Sequence, residues 1–74
     1  MNIKKLPAHM QRVVEENDEL QSKIAKLRSF VNGSVFRTIT KNEQLLLRRQ
    51  LHHMVEYGII LNERIDVCME SLSE

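Results

Sequence analysis

Residues 10–31 read MQRVVEENDELQSKIAKLRSFV, and residues 47–72 read LRRQLHHMVEYGIILNERIDVCMESL. In the first stretch Met10, Val13, Asn17, Leu20, Ile24, Leu27 and Val31 succeed one another at steps of three and four. In the second, Leu47, Leu51, Met54, Gly58, Leu61, Ile65, Cys68 and Leu72 do the same. Such steps put each set on one face of an α-helix, and an apolar face needs a partner. The spacing predicts an all-α fold: an antiparallel two-helix hairpin of coiled-coil type, assembled into a helical homo-oligomer.

Working outward, Pro7 suits the first turn of a helix, where its missing N–H costs nothing. Asn32-Gly33 is a natural stop, with Gly33 expected in the left-handed conformation that ends many helices. Thr40-Lys41-Asn42-Glu43 fits a capping box, Thr40 as N-cap and Glu43 reaching back. The expected organisation is a single domain, residues 1–74, with helix 1 over 7–31, a connection over 32–40 and helix 2 over 41–71. Folding about the middle of that connection sets Ile24 against Leu51, Leu20 against Met54, Val13 against Leu61 and Asn17 against Gly58. An Asn at such a position fixes register at some cost in stability, and a facing glycine would give it room. A parallel dimer through helix 1 is the rival architecture, but it would set Lys23 of one chain against Arg28 of the other.

A lone hairpin of this size buries one seam, and chains this short usually need a staple, a metal or oligomerisation. Cys68 is the single cysteine, so no internal disulfide can form; in an apolar stripe it reads as a small buried hydrophobe suited to a reducing cytosol. No apolar run approaches the roughly 18 residues of a membrane span, and residues 1–8 lack the core of a signal peptide. A cytoplasmic protein with no membrane partner is expected. Val35, Phe36 and Ile39 are too apolar for a solvated loop and are expected to fold over the end of the seam beside Phe30 or to meet another chain. Helix 2 also carries Leu46, Tyr57, Ile60 and Val67, with Leu45 and Ile59 nearby, on a face that one partner helix cannot cover. Leu46, Ile60 and Val67 are therefore the expected oligomer interface.

Net charge is +1, but its distribution is uneven. Residues 1–25 balance. Residues 26–49 set Lys26, Arg28, Arg37, Lys41, Arg48 and Arg49 against Glu43, for +5. Residues 50–74 set Arg64 against Glu56, Glu63, Asp66, Glu70 and Glu74, for −4. In a hairpin the turn end is basic and the open end acidic.

The same residues narrow the chemistry. His52 and His53 are adjacent, so on a helix they point about 100° apart and cannot share a metal as an i,i+4 pair would. His9 stands apart from both, and no serine or cysteine has the setting of an activated nucleophile. No catalytic residue, metal ligand or cofactor is expected. Anion binding fits better: Arg37, Lys41, Arg48 and Arg49 crowd the start of helix 2, where arginine forks and free N–H groups favour phosphate. Tyr57 offers a ring for a base. The plainer reading of these cations is a solvated basic surface. Nucleic acid is not an expected partner, because total charge is near zero and the acidic half repels a long polyanion.

Arg12-Val13-Val14-Glu15-Glu16, Glu19-Leu20, Lys23-Ile24, Lys26-Leu27 and Phe30-Val31 form one matching series. Glu43, Leu46-Leu47, Gln50-Leu51, Met54, Tyr57, Leu61 and Arg64-Ile65 form another. Through them nearly the whole chain resembles a group of small helical proteins encoded by phages and prophages, mostly without assigned function. The resemblance implies an accessory protein made in the host cytosol during infection. Small oligomeric hairpins of this kind include phage sponges that sequester the nucleotide messengers of bacterial immunity; the likeness is one of architecture. It implies an oligomeric anti-defence protein holding a phosphate-bearing nucleotide through Arg37, Lys41, Arg48, Arg49 and Tyr57. The alternative is a hairpin that docks by its apolar stripe on a host or phage protein, such as a host defence protein, as inhibitor or assembly adaptor.

Overall fold

The structure is a computed structural model that describes residues 5–72. Residues 1–4, half of the segment read for a signal peptide, and residues 73–74, with Glu74 of the acidic count, lie outside the described residues. Helix α1 spans Ala8–Val31, a 3₁₀ turn spans Val35–Thr38, and α2 spans Lys41–Leu72. Pro7 caps α1 rather than entering it: its ψ of 152° is extended, and its carbonyl accepts from the N–H groups of Met10 and Gln11 at 2.9 and 3.0 Å.

The helices pack as an antiparallel hairpin with extents of 52 × 16 × 16 Å. That length is set by α2 alone, since 32 residues at about 1.5 Å each give about 48 Å. Between them lie Leu6, Met10, Val13, Val14, Leu20 and Ile24 from the first half, with Leu61 and Ile65 from the second. Leu61 is fully enclosed. Leu51, Met54, Val55, Cys68 and Met69 pack on this core half-buried, so Cys68 is less enclosed than its place in the stripe suggests.

The register differs from the sequence expectation by one helical turn. Asn17 faces Asn62, not Gly58: its Nδ2 donates to Asn62 Oδ1 at 2.9 Å. Gly58 instead lies beside Leu20, Gln21 and Ile24. The cause is the connection. Asn32 and Ser34 keep right-handed backbone past the end of α1, Val35–Thr38 add the 3₁₀ turn, and the backbone becomes extended at Ile39, whose ψ is 166°. The hairpin therefore folds about residues 39–40 rather than the middle of the loop.

Gly33 is not left-handed, since no glycine has positive φ. It is needed for closeness instead: a Cβ there would stand 3.3 Å from the Ser29 carbonyl oxygen and 3.4 Å from that of Phe30. One arm of the capping box forms, Glu43 N–H donating to Thr40 Oγ1 at 3.2 Å. The side chain that reaches back across the connection is that of Gln44, whose Nε2 donates to the Phe36 and Ile39 carbonyls at 2.9 and 3.2 Å.

Candidate functional site

Because α2 starts beyond the end of α1, its first two turns overhang the seam, and the 3₁₀ turn fills the gap. Phe36 is buried there at 3% exposure, with the Phe30 ring edge-on at 6.2 Å. Burying the Phe36 ring against the edge of the more exposed Phe30 ring fixes the turn, as does Thr38 Oγ1 donating to the Val35 carbonyl at 2.6 Å. Arg48 lies over the outer side: its guanidinium carbon is 5.3 Å from the Phe36 ring centroid, within cation–π range. Arg37 on the 3₁₀ turn, Lys41 at the start of α2 and Arg49 are exposed around it. These four cations share the turn end, and Glu43 is the one carboxylate between residues 26 and 49. A ring-supported guanidinium loses less freedom when it grips an anion than a free one does.

Tyr57 does not join them. Nine residues past Arg48 it lies half a helical rotation away and about 13 Å further along α2. At 43% exposure it belongs instead to the outer face of α2, with Leu46 at 48%, Ile60 at 54% and Val67 at 67%. The three expected interface residues are thus left open by the hairpin. At the open end this face borders a groove of about 580 Å³ lined by His9, Met10, Ile60, Glu63, Arg64, Val67, Cys68 and Ser71. A smaller pocket of about 160 Å³ lies beside Asn62, lined by Gln21, Ile24, Arg28, Val55, Ile59 and Asn62. None of Arg37, Lys41, Arg48 and Arg49 lines either hollow.

Sequence reasoning missed Phe36 as the support of Arg48, Gln44 as the clasp, and the contribution of α1 to the groove. Phe36 stood out as an apolar residue in a polar loop, but nothing in the sequence tied it to Arg48. The His52 and His53 rings stand 5.5 Å apart at 71°, diverging as their adjacency requires. Among the described residues no three His, Cys, Asp or Glu side chains gather as a metal site would need. Among the same residues no helix is long and apolar enough to cross a membrane.

This architecture is that of a small helical hairpin with a cationic turn end and an uncovered apolar face. Residues 7–67 match the Sequestin family model, and the chain belongs to the Sequestin family. It is 40% identical over 58 residues to a protein of Enterobacteria phage T4 described as an uncharacterized 7.5 kDa protein in the denB-rIIB intergenic region. That match covers 78% of this chain and 91% of the phage protein. No solved structure matches.

Proposed function

We propose that this chain is a phage accessory protein that self-associates and sequesters a phosphate-bearing nucleotide messenger of host immunity. It works in the host cytosol and as a binder, without catalytic residues or a cofactor. The family name speaks of sequestration, and the T4 relative supports a phage setting. The observation that carries the reading is the turn end, where Arg48 is held over Phe36 among Arg37, Lys41 and Arg49. Guanidinium forks suit phosphate oxygens, and the start of α2 favours an anion through those of its first N–H groups that Thr40 does not take up. Tyr57 has no part in this site within one chain.

Native mass spectrometry of the protein with a panel of cyclic and ADP-ribose-type nucleotides tests the reading. A discrete species that gains stoichiometric nucleotide mass is expected. Arg48→Ala with Arg49→Ala removes two charge-assisted contacts of about 1.5–3 kcal/mol each, so affinity should fall at least about a hundredfold with helicity unchanged. Unchanged affinity in that double variant, or no uptake from the panel, would overturn it.

The second reading, an adaptor or inhibitor docking on a host defence protein, is favoured by the open groove and needs no anion site. A glutamate at Ile60 separates the two. It abolishes self-association in the sponge and capture of the protein target in the adaptor.

A further inference from the structure

The outer face of α2 shares the heptad spacing of its inner one but is apolar at only some of its positions. From Leu46, alternate steps of four and three residues run through Gln50, His53, Tyr57, Ile60, Arg64 and Val67 to Ser71, a second heptad row in which Leu46, Tyr57, Ile60 and Val67 are the apolar members. The two ends of this seam differ in shape. At the turn end it protrudes, with Leu46 about half exposed on the overhang of α2. At the open end it sinks into the 580 Å³ groove, where Met10, Ile60, Val67 and Cys68 form apolar walls among His9, Glu63, Arg64 and Ser71.

The ends also differ in charge. Over residues 41–50, α2 carries Lys41, Arg48 and Arg49 against Glu43; over 51–72 it carries Arg64 against Glu56, Glu63, Asp66 and Glu70. Two copies laid parallel would set basic on basic and acidic on acidic. Laid antiparallel, each basic protruding end meets the half of α2 in which Glu56, Glu63, Asp66 and Glu70 outnumber Arg64. Leu46 and Cys68 stand eleven residues on either side of Tyr57. A two-fold axis at Tyr57 therefore brings Leu46 of one copy level with Cys68 of the other.

We propose that a second copy of this chain packs antiparallel along the outer face of α2, each copy seating its Leu46 in the other's groove. The contact is isologous, so one interface uses both ends of both seams and closes on itself. Tyr57 lies on the axis, and Ile60 and Val67 are covered. The inference specifies the self-association read above and does not depend on any ligand.

Native Cys68 provides the test. In Leu46→Cys protein the two thiols of one chain are 22 residues apart on one helix, about 33 Å, far beyond disulfide reach. Mild oxidation should give a covalent dimer joined by Cys68 and the introduced thiol, while wild type and Leu46→Cys/Cys68→Ser stay uncrosslinked. A covalent dimer of Leu46→Cys/Cys68→Ser, or of wild type through Cys68, would show a parallel arrangement and overturn the proposal. Absence of any crosslink in Leu46→Cys would overturn it as well. Ile60→Glu should weaken association about a hundredfold in sedimentation while its circular dichroism stays helical. Unchanged association in that variant would also sink it.

Discussion

The two long faces of α2 share a heptad spacing, the outer one broken by Gln50, His53, Arg64 and Ser71, and only the inner one is specified. Toward α1, Gly58, Leu61 and Ile65 are buried and the amides of Asn17 and Asn62 lock the level of the helices. On the flank outside the seam, Tyr57, Ile60 and Val67 keep part of the rhythm with 43–67% of their surface open. Spacing alone thus says where a helix is sticky. Enclosure and a hydrogen bond that forms at one register say what it sticks to.

The sharpest way to break this contrast is to truncate neighbouring residues on the two faces. Leu61→Ala opens a cavity in a fully enclosed site, and losses there run about 2–5 kcal/mol. In so small a hairpin that is a large share of total stability, so thermal melts should show little folded protein. Ile60→Ala, one residue away, should change the stability of the dilute chain by no more than about 0.5 kcal/mol. Equal losses from the two would show that the faces are not different in kind.

A smaller effect is expected at the lock. Asn62→Ala leaves the buried Asn17 Nδ2 without its partner, which costs about 1–3 kcal/mol. Replacing both residues by leucine should recover most of that loss, because the unpaired amide is then gone. The recovered protein should lose its unique level, however. Spin labels on α1 and α2 should report a second distance population displaced by one helical turn. A single population in the double leucine variant would mean that packing alone sets the register.

That expected ambiguity explains what could be read from the chain. The helix limits were legible because Pro7, Asn32-Gly33 and Thr40 are local signals acting through backbone geometry. The apolar faces were legible from their period. The register was not, since sliding by a turn keeps apolar opposite apolar, and only the geometry of the connection and the Asn17–Asn62 bond choose between levels. Leu6 and Val14, both buried, escaped because one lies before the helix and the other beside the stripe. The basic turn end was legible as a charge imbalance. The ring beneath Arg48 was not, because Phe36 and Arg48 meet only through the course of the 3₁₀ turn. Within one chain Tyr57 stands apart from that cluster, because nearness in sequence hides half a rotation of helix.

The smallest expected effect lies at Gly58, where the two faces of α2 can be compared within one residue. Glycine in mid-helix costs about 1 kcal/mol relative to alanine, and φ here gives no reason for it. Its reason is the seam: a Cβ would stand 2.7 Å from Gln21 Nε2, which donates to Asn17 Oδ1 at 3.3 Å. The obstacle is the end of a flexible side chain, so Gly58→Ala should swing the Gln21 amide aside rather than part the helices. The lost bond is long and only partly buried, about 0.5 kcal/mol, against a helix gain of about 1 kcal/mol. The variant should therefore melt a few degrees higher. Its Gln21 side-chain amide resonances should shift toward solvent-exposed values while those of Asn62 hold. A loss of more than about 1 kcal/mol would instead show that the helices have no slack at this level, and that the glycine sets their separation.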